Sequence, residues 1–373
     1  MTNLVLYRKY RPKTFSEIVG QEHVVKTLEN ALASGLISHA YLFSGPRGSG
    51  KTSIARLLAK SLNCQEKKAG EFEPCNKCSS CLEMNEARAI DLIEVDAASN
   101  RGIDEIRELR EGIRFAPTKS HYKVFIIDEA HQLSKDAANA LLKTLEEPPG
   151  HAVFILATTE IHKMIPTIIS RCQRFDFRKL TLLEIVGHLE QVAKKEGAKI
   201  EKPALELIAL HSGGAVRDAI GLLDQAITFS GTITNGDTIN AQEIQDLLGM
   251  VDTKLISEFF EYLSQKKIVQ ALDFLNKVIE KGKDLQEFAK AVINYLRQGL
   301  ILKISADFTN PVVVGLSQEE QQKLKLQVAN LTDLELRQML KLFLEAEVKM
   351  KYSSIQQLPL ELAIIEALQK EAK

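Results

Sequence analysis

Eight consecutive residues, Gly45-Pro46-Arg47-Gly48-Ser49-Gly50-Lys51-Thr52, carry the spacing G-x-x-x-x-G-K-T. Glycines at those positions let successive backbone N–H groups wrap phosphate, a lysine reaches the outer phosphates, and the threonine hydroxyl faces Mg²⁺. An apolar run precedes the motif and a helical pattern follows it, so Gly45 through Ser53 are candidate nucleotide contacts. Further along, Val124–Ile127 run into Asp128 and Glu129. Asp128 is placed to hold the Mg²⁺ hydration shell with Thr52, and Glu129 to orient and polarise the attacking water. Such a pair can also be a plain solvated strand end; a phosphate loop upstream favours hydrolysis.

Four further residues fit that chemistry. Thr158 and Thr159 end the next apolar run, where a hydroxyl can sense the γ-phosphate or the water, or simply cap the strand. Arg171, in Ser170-Arg171-Cys172, is badly placed for its own loop but suited to a neighbouring subunit's. An arginine supplied in trans is worth roughly 10³–10⁵ in rate in known systems. Arg217 opens a helix after Gly213-Gly214; it either reports nucleotide state through rotation of a lid or pairs with Asp218.

Four of the five cysteines fall in one stretch, Cys64, Cys75, Cys78 and Cys81, spaced C-x10-C-x2-C-x2-C. A disulfide knot, a redox switch and a metal site all fit such a cluster. The N-terminal residues lack a signal-peptide pattern, which leads us to expect a cytoplasmic protein, where stable disulfides are rare. Four thiolates suit tetrahedral Zn²⁺, and an iron–sulfur cluster uses similar spacing. Closed four-thiolate coordination leaves no open position, so the expected role is structural. Cys172 reads as a separate buried thiol.

These groups need elements to position them. The chain has 373 residues, is 45% hydrophobic and 26% charged, has a net charge of -1 and lacks Trp. Two or three domains are expected, and any nucleic-acid contact must come from a local patch. Apolar runs at Ala40–Gly45, Asp91–Asp96, Val124–Asp128, Ala152–Thr158 and Arg174–Arg178 read as strands of a buried parallel sheet. Helical patterns alternate with them, including Ser134–Glu147 with its N-cap serine and a stop at Pro148. From Leu180 onward the pattern is helical, with no strand signal of comparable strength. No run approaches a membrane span. The expected domains are 1–178, α/β with the cysteine module at 64–81; 179–242, a helical lid; and 243–373, all-α. No carboxylate arrangement suggests a polymerase two-metal site.

Together, Gly45–Thr52, Asp128-Glu129, Ser170-Arg171-Cys172 and Gly214–Ala219 resemble the clamp-loader branch of the AAA+ ATPases. Residues Tyr7–Val24 resemble that branch's adenine-side segment. Residues Ala137–Pro149 and the four-cysteine insert are similar to the γ/τ subunits of bacterial DNA polymerase III, and Leu358–Ile365 is like that family's collar helix. Ala138 departs from the pattern, which usually has Phe there.

The resemblance implies an ATP-binding AAA+ domain with Mg²⁺, structural zinc, a lid, and a collar that holds a pentamer. Implied partners are further γ/τ copies, δ and δ′ subunits, the β sliding clamp and primed DNA. Polymerase and helicase would bind through a longer C-terminal tail. Tyr7, Arg8, Arg11, Pro12, Val19 and Gly20 would line the adenine and ribose side. Thr159 would be the first sensor, Arg217 the second, and Arg171 the finger offered to a neighbour. Ala98–Leu109 resembles the helix whose start faces the duplex, so Asn100 and Arg101 are candidate phosphate contacts. Phosphate contacts position without reading sequence, and the expected DNA binding is salt-sensitive. Against this motor stand a branch-migration or helicase-like AAA+ motor and a non-hydrolysing scaffold subunit. The cysteine insert disfavours the first, the intact Lys51, Thr52, Asp128 and Glu129 the second.

Overall fold

In a computed structural model the five apolar runs form one sheet. The structure describes residues 4–68, 70–99, 112–113, 115–231, 237–249, 252–304 and 318–369. One compact unit extends to Ile239 and a second begins at Asn240.

The first unit opens with α1 (Leu6–Lys9), α2 (Glu22–Ser34), β1 (Ala40–Ser44), α3 (Lys51–Leu62) and α4 (Ser79–Asn85). It continues through β2 (Leu92–Asp96), β3 (Lys123–Asp128), α5 (Lys135–Glu146), β4 (Ala152–Thr158), α6 (Pro166–Ile169) and β5 (Gln173–Asp176). The strand order is β2-β3-β4-β1-β5, and every pairing is parallel. Alternate side chains leave opposite faces. Tyr41, Phe43, Ile126 and Ile155 pack on one face with Val24, Leu28, Ile54 and Leu58. Leu42, Phe125, Phe154 and Leu156 pack on the other with Ala138, Leu141 and Leu145 of α5. Burial on both faces is why the central strands β1, β3 and β4 read as continuous apolar runs, whereas the edge strands β2 and β5 are more exposed. The α5 helix starts where its Ser134 Oγ accepts the Ala137 N–H at 3.2 Å.

Asp91, just before β2, is 2% exposed. Its carboxylate accepts the backbone N–H groups of Thr118, Lys119 and Ser120 at 2.7, 2.9 and 2.9 Å. Burial alone would raise its pKa; the N–H donors outweigh burial and hold it below the ordinary range. A depressed native pKa gives stability that is present above the unfolded carboxyl's pKa and lost as pH falls through the native one. Asp91→Asn is therefore expected to cost about 2–3 kcal/mol at neutral pH. The difference from wild type should shrink in acid, as urea unfolding at two pH values would measure.

Three helices follow in the same unit, α7 (Leu182–Glu196), α8 (Lys202–His211) and α9 (Val216–Ser230). A capping box starts α7: Thr181 Oγ1 accepts the Glu184 N–H, and Glu184 Oε2 accepts the Thr181 N–H. The Arg178 guanidinium, 2.6 Å from Glu184, holds that carboxyl down at about 2. Between the helices lies a parallel pair the sequence did not signal, β6 (Lys199–Ile200) with β7 (Thr238–Ile239). Two-residue strands are too short to show an alternating pattern.

The second unit contains α10 (Ala241–Leu247), α11 (Thr253–Ser264), α12 (Ile268–Glu280), α13 (Leu285–Ile304), α14 (Gln318–Ala329), α15 (Asp333–Met350) and α16 (Leu358–Leu368). Phe259, Phe260, Phe288 and Phe343 lie in its core. Gln327, 7% exposed, accepts from the Tyr295 hydroxyl at 2.9 Å and donates to Ser257 O at 3.0 Å. Among the described residues no helix is long and apolar enough to cross a membrane.

Candidate nucleotide site and four-cysteine centre

The loop between β1 and α3 takes its shape from glycine. Gly45, Gly48 and Gly50 have φ of 151°, 75° and 97°. A Cβ on Gly45 would lie 2.4 Å from Phe177 O, and one on Gly48 would lie 2.7 Å from Ala215 Cβ. The second approach seats the loop directly against the lid, where the Val216 N–H donates to Gly48 O at 3.2 Å.

Lys51 is buried, and its ammonium donates to Gly45 O at 2.7 Å and Pro46 O at 2.8 Å. Burial lowers its pKa, against the pull of Glu129 and Asp128. Thr52 Oγ1 donates to Asp128 Oδ2 at 2.8 Å, and Thr159 Oγ1 to Glu129 Oε2 at 2.8 Å. Ser44 pairs with Thr158 and Ile127 with Leu156 across the sheet, so β1, β3 and β4 deliver these groups at adjoining C-terminal ends. Glu129 has φ 48° and ψ 44°, a left-handed conformation uncommon outside glycine.

A pocket runs from this loop to the N-terminal segment and the lid. Of the residues expected around nucleotide, Tyr7, Arg11, Pro12, Val19, Arg47, Gly48, Ser49, Gly50, Lys51, Thr52, Ser53, Asp128, Glu129 and Arg217 line it. Gly45 and Pro46 lie behind Lys51 as its acceptors. Arg8 and Gly20 are not among the lining residues. Gly20 has φ 66°, and a Cβ there would meet Leu180 Cδ2 at 2.3 Å, so it serves the joint to the lid. Arg217 stands over the Tyr7 ring with Cζ 4.8 Å from its centroid. Its hydrogen bond, together with Arg8, lowers the Tyr7 pKa.

Several lining residues were not named from the sequence: Tyr10 and Ile18 lie inside the Tyr7–Val24 segment without being singled out, and His188 and Ile220 carried no signal. On α7, His188 looks like one polar residue on an apolar face; burial and Lys195 lower its pKa. Beside Glu129, His131 Nδ1 lies 2.9 Å from Thr158 Oγ1 and 3.4 Å from Glu129 Oε2.

Arg171 is away from this pocket. It donates to Glu146 Oε1 at 2.6 Å and Thr167 O at 2.9 Å. Asn100 and Arg101 lie outside the described residues. Cys172 sits against the sheet core, where burial pushes its pKa up to about 12. The four clustered cysteines converge, with their Sγ atoms all within 4.8 Å of one another. Cys64, Cys78 and Cys81 are buried. Zn–S bonds near 2.3 Å in a tetrahedron demand sulfur separations of about 3.8 Å, close to the 4.0 Å between Cys75 and Cys81. The donor set thus fits one tetrahedral metal ion.

A five-stranded parallel sheet in this order, with the phosphate-type loop after β1 and a helical lid against it, defines an AAA+ P-loop protein. Family models match in succession. Residues 20–181 match "DNA polymerase III, delta subunit", 184–232 "DNA polymerase III clamp loader subunit, ATPase lid domain", and 239–372 "DNA polymerase III subunits gamma and tau domain III".

The DNA polymerase III subunit gamma of Buchnera aphidicola subsp. Schizaphis graminum is 35% identical over 99% of both chains. The subunit tau of Bacillus subtilis is 48% identical over 81% of this chain and 53% of its own length. The subunit gamma/tau of Mycobacterium bovis is 39% identical over 88% and 56%. This chain belongs to the gamma/tau family of DNA polymerase III subunits. It spans about half the length of the tau and gamma/tau relatives it matches. The Thermotoga maritima RuvB Holliday junction branch migration motor overlays 68% of this chain and 79% of its own at 22% identity and a TM-score of 0.49, too loose a likeness to bear on function.

Proposed function

We propose that this chain is an ATP-hydrolysing motor subunit of a bacterial clamp loader, using ATP to open the β sliding clamp and place it on primed DNA. The observation that carries this is the convergence of Lys51, the Thr52–Asp128 pair and the Thr159–Glu129 pair at three adjoining strand ends. A scaffold subunit has no use for that set. Family membership supports the partners: further copies of the chain, δ, δ′, the clamp and DNA, in the cytoplasm.

In this proposal the loop amides and Lys51 bind the phosphates, with the lysine exchanging carbonyl oxygens for phosphate oxygens. Thr52 and Asp128 hold Mg²⁺, which when bound neutralises developing charge on the phosphates. Glu129, oriented by Thr159, polarises the water. Arg217 carries lid position to the γ-phosphate, and Arg171 completes a neighbouring site. Tyr7, Arg11, Pro12 and Val19 hold the base and ribose. Cys64, Cys75, Cys78 and Cys81 hold structural Zn²⁺. The working domains are 1–178, 179–242 and 243–373.

The test is steady-state ATP hydrolysis by this chain mixed with δ and δ′, with and without β clamp and primed DNA. Hydrolysis stimulated by clamp plus primed DNA is the expected result. Hydrolysis indifferent to them would point to another AAA+ motor; none at all would point to a scaffold.

A further inference from the structure

The cysteine module lies against the N-terminal segment through a specific set of contacts. Phe15–Glu17 form a single 3₁₀ turn, whose first N–H groups have no partner within the turn. Glu73, between Cys64 and Cys75, takes both: Phe15 N–H donates to its Oε2 and Ser16 N–H to its Oε1, each at 2.8 Å. Phe72 meets the Phe15 ring edge-on at 6.4 Å between centroids, and Phe15 is 1% exposed.

Two residues before Phe15, Lys13 O accepts from Lys60 Nζ at 2.7 Å and from Asn76 Nδ2 at 3.1 Å. Lys60, 3% exposed, also donates to Asn76 Oδ1 at 2.7 Å and Asn85 Oδ1 at 2.9 Å. Asn76 sits between Cys75 and Cys78 with φ 56°. The gripped residues, Lys13 to Ser16, are flanked on both sides by pocket lining: Tyr10, Arg11 and Pro12 before, Glu17, Ile18 and Val19 after.

We infer that the four-cysteine module is the buttress of the pocket's base-side wall, with Glu73 as its main positioning residue for adenine nucleotide. It acts through the backbone of Phe15 and Ser16 and touches no ligand itself. The inference rests on the nucleotide assignment of this pocket. The phosphate loop is built separately from β1 and α3, so loss of the buttress should weaken recognition of the base and spare recognition of the phosphates.

The experiment compares binding of ATP and of inorganic tripolyphosphate by calorimetry, for wild type, Glu73→Ala and Glu73→Gln. Thiol-bound zinc is measured on the same samples by release to a chromogenic chelator. Removing two charge-assisted hydrogen bonds is expected to weaken ATP about 10-fold in Glu73→Ala, with tripolyphosphate affinity and zinc content unchanged. Glu73→Gln keeps side-chain length and one acceptor, so it folds as wild type does and is expected to lose about 3-fold. If both ligands weaken together, or if ATP binds both variants as it binds wild type, the inference is overturned. If wild type itself binds neither ligand, the nucleotide assignment is what fails.

Discussion

Replacing Arg171 by alanine is expected to cut ATP hydrolysis by the assembled complex about 10³–10⁵-fold, while ATP binding to the isolated chain stays as in wild type. Arg171 follows α6 and precedes the edge strand β5, and it is absent from the lining of its own pocket. Its carboxylate partner is Glu146, 2.6 Å away, with the arginine side chain 34% exposed and the glutamate 49%. An exposed pair of this kind is worth only about 0–1 kcal/mol, so the guanidinium can be surrendered to a neighbouring γ-phosphate at little cost. The decisive measurement is complementation. Mixing Arg171→Ala with Lys51→Ala subunits should restore hydrolysis, because each variant supplies what the other lacks at one interface. An equal loss of ATP binding by isolated Arg171→Ala would place the arginine in its own site instead.

The chemistry was legible in the sequence where function needs contiguous or rigidly spaced residues. The phosphate loop, Asp128-Glu129 and the cysteine cluster are local patterns with mechanisms attached, and the structure draws each of them together. The central strands β1, β3 and β4 were legible because burial on both faces makes continuous apolar runs.

What the sequence hid depends on tertiary placement. His188 reaches the pocket from α7, and nothing in its neighbours marks it. Glu73 is one acidic residue in a loop that also holds Glu66 and Glu71; only the fold shows that it caps a turn far away in the chain. Gly20, which the family resemblance places beside the ribose, has φ 66°, and a Cβ there would come within 2.3 Å of the Leu180 side chain. A resemblance transfers the residue, and packing supplies the reason for it. The β6–β7 pair was hidden for a different cause, since two residues show no period.

Glu129→Gln is expected to slow hydrolysis by roughly 10²–10⁴-fold with ATP affinity kept within about twofold of wild type, since the amide removes proton-accepting capacity and little else. The wild-type carboxylate is held by three approaches: Thr159 Oγ1 at 2.8 Å, Thr159 N at 3.4 Å and His131 Nδ1 at 3.4 Å. Glutamine still offers an oxygen to the threonine, so the side chain keeps its place. Its backbone at φ 48° costs the same for either residue, of the order of 1–3 kcal/mol. The structure therefore tolerates the exchange, and the melting temperature should stay within about 2 °C. Glu129→Ala would leave Thr159 without its acceptor and let the strand ends relax, so it confuses two effects that the amide keeps apart. Thr159→Ala tests the orienting role alone. It should reduce the rate less than Glu129→Gln, because the carboxylate remains to act on water but is held by one hydroxyl fewer. Rapid-quench measurement of a single turnover separates this chemical step from product release. A Glu129→Gln protein that hydrolysed within a few-fold of wild type in that assay would remove the glutamate from the chemistry, leaving its strained backbone unexplained.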